Sequence, residues 1–140
     1  MRPDASLVTR LQAVLRAGPP VRLALLFGSA ARGGLRAGSD VDVAFLPRDP
    51  DLALADELTL QAELGRAAER EVDLVRLDRA ATLVKWQVAL HGVPLIVEEP
   101  NVLSRFLASA AGEYLDFAPS LRNAQERFRR RIASGAGHSA

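Results

Sequence analysis

The sequence predicts an α/β (α+β) layer structure built on one sheet, and three features lead there. Short apolar or alternating runs recur along the chain, longer stretches with helical spacing lie between them, and Gly or Pro punctuates the joints. Strands that alternate with helices stack as layers, because each element has an apolar face to bury. The length of 140 residues suits one domain, with no internal repeat and no linker to divide it.

Taken in order, Leu7, Val8, Leu11, Val14 and Leu15 mark a helix over 4–17, closed by Gly18-Pro19-Pro20. Val21–Phe27 is a short apolar run ending at glycine, which reads as a buried strand. Asp40–Leu46 alternates and stops at Pro47, a second strand. Residues 51–70 read as a helix with Leu54, Leu58 and Leu64 among its buried positions. Glu71–Leu77 alternates as a third strand, 79–91 is helical up to His91-Gly92, and Val93–Val97 is a fourth, short strand. A helix then runs from Asn101 to about Phe117; Pro119 is expected to interrupt it and Leu121–Ile132 to resume it. The domain is drawn over 1–132, with 133–140 a flexible tail of small and polar residues.

Composition narrows the classes of function. A net charge of +1 gives no strong field toward nucleic acid or membrane, so direct nucleic-acid binding is not expected. Nearly all the positive charge is arginine, with Lys85 the only lysine, which reads as compositional bias. The absence of cysteine excludes disulfides, thiolate nucleophiles and Cys-based zinc sites. No apolar run is long enough for a signal peptide or a membrane span, and a cytoplasmic location is the expectation.

The chemistry concentrates in residues 27–45, FGSAARGGLRAGSDVDVAF. Gly28 allows a tight reversal after the first strand, and Ser29 can cap a short helix through Ala30, Ala31 and Arg32 before Gly33-Gly34 breaks it. Free N–H groups and a hydroxyl at such a start suit an anion, particularly a phosphate. The Gly-Lys-Ser/Thr element of a Walker A loop is missing. Asp40 and Asp42 share one strand face, and Asp73 has the same setting between Val72 and Leu74. If the two strands are neighbours, three carboxylates converge, an arrangement unfavourable unless a divalent cation neutralises it. Ligation by oxygen alone points to Mg²⁺ or Mn²⁺ rather than zinc. The plainer alternative leaves Asp40 and Asp42 on a solvated face and Asp73 on an unrelated edge.

Gly28-Ser29, ten intervening residues and Asp40-x-Asp42 resemble the signature of the DNA polymerase beta nucleotidyltransferase superfamily. The string Gly-Ser-Ala-Ala-Arg-Gly, with Ser39 ahead of Asp40, is most similar to its minimal branch, which includes MntA-type antitoxins paired with a HEPN toxin (a helical ribonuclease). The resemblance implies a palm-like fold on a mixed sheet of about four to five strands. It implies AMP transfer from ATP to a hydroxyl of the toxin, tyrosine first, with release of pyrophosphate, inside a hetero-oligomer of the two proteins. It carries Asp40 and Asp42 over as ligands of two Mg²⁺ ions, Mn²⁺ being an alternative, and Asp73 as the third metal-binding carboxylate. Gly28, Ser29, Arg32 and Ser39 carry over as the nucleotide-binding loop. Two further readings remain: an antitoxin that binds nucleotide without catalysis and neutralises by contact, and a small-molecule nucleotidyltransferase. The chain ends soon after the catalytic core, so the acceptor is expected to come from another molecule.

Outside that region the expectations are plain ones. Leu103, Phe106, Leu107, Ala110 and Tyr114 form an apolar helical stripe, expected to pack on the sheet rather than to dock a partner. Trp86 reads as core, Lys85 as solvated, His91 as a helix end, and Arg127–Arg131 as a solvated basic helix end.

Overall fold

The computed structural model describes residues 3–33 and 40–138. Its elements are α1 (Ala5–Ala17), β1 (Val21–Phe27), a 3-10 turn (Ser29–Arg32), β2 (Val41–Pro47), α2 (Leu54–Ala68), β3 (Val72–Arg76), α3 (Thr82–His91), β4 (Val93–Val97) and α4 (Pro100–His138). Among the described residues the strands form one mixed sheet in the order β3-β2-β1-β4. β1 runs antiparallel to both its neighbours, while β2 and β3 are parallel. α2 supplies the crossover that a parallel pair requires.

β1 is apolar almost throughout because both of its faces are covered. Ala24 and Leu26 face one core with Val41, Val43 and Phe45, against Leu7, Leu11 and Leu15 of α1 and Leu60 and Leu64 of α2. Leu23 and Leu25 face the other core with Ala44, Leu77, Val88 of α3 and Val102 of α4. Full burial of each such Leu or Phe contributes about 1.5–3 kcal/mol. Polar groups tie the layers at their ends. Arg10 Nη1 donates to Ala67 O at 2.7 Å, satisfying a last-turn carbonyl of α2, and Gln12 Nε2 donates to Leu95 O at 3.0 Å.

Three expectations need correction. Leu54 and Leu58 are exposed, and α2 buries Leu60, Leu64 and Ala68 instead. The apolar positions of α2 form one broad arc, and only the part of it facing α1 and the sheet is covered. Pro119 does not interrupt the last helix; α4 passes through it unbroken. The carbonyl that loses its partner belongs to Leu115, which is strongly exposed, so water can take the place of the missing N–H. The backbone also stays helical beyond Ile132, to His138, where a tail was expected.

Candidate active site

The turn after β1 is anchored from below. Ala30 and Ala31 are buried in the first core, so their small side chains seat the 3-10 turn on the sheet and leave Gly28 and Ser29 at its start. Gly28 has φ 74° and Gly33 φ 73°, both in the region that favours glycine. The reversal falls at Gly28 as expected, but Gly28, not Ser29, is also the cap, and no side chain caps the turn. The Ser29 hydroxyl is therefore not used as the local cap. Arg32 ends the turn, its side chain outside the described residues, and Ser39 lies outside them as well.

Phe27 sits opposite Asp42 across the β1–β2 pair, and Gly28 follows at once. A Cβ on Gly28 would collide with Asp42 Oδ2. Two constraints thus demand glycine there, the backbone angle and the carboxylate pressed against it. On the other side of β2, Val41 N donates to Glu71 O at 3.0 Å, opening the parallel ladder beside the site. The register places Asp42 directly beside Asp73. Residues in register on parallel strands point to the same face with backbones about 4.8 Å apart, so the expected neighbourhood of these two acids is realised.

Asp40 lies one residue ahead of β2, so strand alternation alone does not set its direction. Its influence is electrostatic. The Asp42 carboxyl is pushed above its ordinary range first by burial, then by the charges of Asp73 and Asp40. Asp40 and Asp73 are exposed and Asp42 is half-buried, so Asp42 bears most of the penalty. Among the described residues no three Asp, Glu, His or Cys side chains are gathered tightly enough to hold an ion as they stand. The donor chemistry nevertheless fits an oxygen-seeking divalent cation: carboxylates from adjoining segments, one of them raised by burial and then by the other two, in a chain without cysteine.

The far end of β3 was not singled out from sequence. Arg76 stands between Val75 and Leu77, and among the described residues it is the one charged side chain that is buried. It donates to Asp78 at 2.7 and 3.0 Å and to the carbonyls of Pro50 and Leu52, with Glu57 at 3.7 Å. Its guanidinium holds the Asp78 carboxyl below the ordinary range. This cluster pins β3 to the segment that leads into α2, and so supports the register that brings Asp73 to Asp42. Lys85, expected to be solvated, is paired with Glu113 at 2.6 Å. Trp86 stacks on Tyr114 with centroids 4.6 Å apart, which fastens α3 to α4.

Comparison with known proteins agrees with this geometry. The family profile described as Polymerase beta, Nucleotidyltransferase matches residues 9–101, a span holding the Gly28 turn and all three aspartates. The protein adenylyltransferase MntA of Shewanella oneidensis is 36% identical over 77 residues, 55% of this chain and 55% of that protein, so the chain spans about half the length of this curated relative. A chain from the crystal structure of a toxin–antitoxin with AMP-PNP superposes with a TM-score of 0.78 at 26% identity, covering 87% of this chain and 98% of that one. A chain from the tri-AMPylated Shewanella oneidensis HEPN toxin in complex with MNT antitoxin gives a TM-score of 0.74 at 25% identity, covering 88% and 96%.

Proposed function

Because the chain belongs to the polymerase beta nucleotidyltransferase family, we propose that it is an antitoxin that transfers AMP from ATP to a hydroxyl, tyrosine first, of a HEPN-domain toxin. One observation carries the catalytic part: Asp42 and Asp73 stand in register on parallel strands, with Gly28 close against Asp42. The activity in the name of the MntA relative, and the AMP-PNP and AMPylated-toxin complexes among the neighbours, support the substrate and the partner.

The turn binds the triphosphate. Backbone N–H groups after Gly28 and the Ser29 hydroxyl, free of a capping role, donate to β- and γ-phosphate oxygens, with Arg32 and Ser39 assigned to the same loop. Asp40 and Asp42, with Asp73 on the acceptor side, would hold two Mg²⁺ ions, and that bound charge would offset the carboxylates and the transferring phosphoryl group. The acceptor oxygen attacks the α-phosphorus in line with the departing pyrophosphate. A new P–O bond forms, the bond from the α-phosphorus to the bridging oxygen breaks, and the hydroxyl proton passes to Asp73, which is exposed and open to an approaching partner. The N–H groups of the turn stabilise the charge that develops on the leaving pyrophosphate. ATP and toxin must share a compartment, which supports a cytoplasmic location for the pair, and the transfer requires at least a transient hetero-oligomer.

A second reading has one observation in its favour: the ligating carboxylates are not gathered as they stand. A protein that neutralises its partner by contact alone has no need to gather them. Incubation with a HEPN toxin, Mg²⁺ and ATP labelled on the α- or the γ-phosphate separates the two. Label from the α position alone, on the toxin, is the expected result; a tight complex without label overturns the enzyme in favour of the binder.

A further inference from the structure

α4 carries one apolar seam along its length, and among the described residues only its first half joins the core. Leu103, Phe106, Ala110 and Tyr114 recur every three or four residues and all turn inward. Leu103 and Phe106 pack on the second core, Ala110 is buried, and Tyr114 stacks on Trp86. The seam then continues through Phe117, Leu121, Phe128 and Ile132. At 100° per residue all eight positions fall within a sector of roughly 80°, so the face that covers the sheet is the same face that runs on past it. There Phe117, Phe128 and Ile132 are 36%, 60% and 55% exposed, and among the described residues none of them joins either core. The stretch beyond Tyr114 is about 36 Å long at 1.5 Å per residue.

Beyond Pro119 the edges of the uncovered seam share one sign. Arg127 and Arg131 flank one side, and Arg122 and Arg129 the other. Glu126 is the sole acid between 121 and 132, and it is paired at 3.4 Å with Arg130 on the back of the helix. A second copy of this helix would set arginine against arginine along both edges. Apolar side chains at intervals of three and four residues accept another helix, whose knobs fit between them. A phosphate backbone would leave Phe128 and Ile132 in water. We propose that the distal half of α4 docks a helix of the HEPN toxin that has an apolar seam and acidic flanks. The identity of the partner rests on the function proposed above; the surface and its chemistry rest on α4.

The test measures binding of the full chain to the toxin by titration calorimetry, for the wild type, F128Q/I132Q and R127E/R129E/R131E. Gln keeps helix propensity and these side chains touch no core, so the melting curves should stay in place. The expected result is binding at least tenfold weaker in each variant, together with wild-type affinity that falls as salt rises. Unchanged affinity in both variants, with a wild type that binds and modifies the toxin, overturns the docking surface and leaves the function standing. A wild type that neither binds nor modifies the toxin overturns both. Two other results also overturn the docking surface: a dimer of the chain alone that F128Q/I132Q abolishes, or capture of a single-stranded RNA lost in the arginine variant while toxin binding is kept.

Discussion

The two ends of β3 treat charge in opposite ways. At Arg76 a buried guanidinium meets two carboxylates and two backbone carbonyls, and every neighbour lowers its free energy. Three residues earlier Asp73 lies beside Asp42, whose surroundings, burial and like charges together, all raise its free energy when ionised. The satisfied end holds the strand; the frustrated end is where the proposed function puts a cation and a triphosphate. Stability built at one end of a strand supports repulsion kept at the other, as expected where binding chemistry rather than folding sets the residues.

The strongest way to break this contrast is Asp42→Asn, which keeps the shape and removes the charge. AMP transfer should fall by orders of magnitude, while the melting temperature of the unliganded protein rises because the repulsion is gone. Label transfer and a thermal melt read the two effects. At the other end, Arg76→Met should cost about 3–5 kcal/mol in denaturant unfolding, since Asp78 and Glu57 lose their buried counter-charge and two carbonyls lose a donor. Gly28→Ala comes next. It strains a backbone at φ 74° and drives a methyl into Asp42, so a loss of about 1–2 kcal/mol should accompany reduced transfer.

The smallest effect sharpens the contrast through pH. The Asp78 carboxyl is lowered in the fold, so its contribution is present above the ordinary aspartate value of about 3.9 and is lost as pH falls through its lowered value. The Asp42 carboxyl is raised, so the unliganded protein loses stability as pH climbs from about 3.9 through that raised value. Unfolding free energies measured across this range should change slope in opposite directions in Asp78→Asn and Asp42→Asn.

The parts legible in the sequence were those set by local rules. Val21–Phe27 and Val93–Val97 have the predicted bounds, because apolar runs between Gly and Pro leave little choice of register. The pairing of Asp42 with Asp73 follows from the period of two along each strand, once the strands are adjacent. What escaped depended on surroundings that no local rule contains. Leu58 and Leu64 look alike on a helical wheel, and only tertiary packing decides which is covered. A proline breaks a helix when the carbonyl it orphans is buried, and here that carbonyl belongs to the strongly exposed Leu115. Ala30 and Ala31 read as filler until the turn is seen seated on the core. Arg76 went unnoticed because Glu57, Asp78 and the carbonyls of Pro50 and Leu52 meet it only in the fold.

Calorimetric titration of Mg²⁺ with AMP-PNP into the wild type and into Asp42→Asn tests the central claim most directly. A binding heat in the wild type that vanishes in the variant is the predicted result. Equal heats in the two proteins, or none in the wild type, would contradict it.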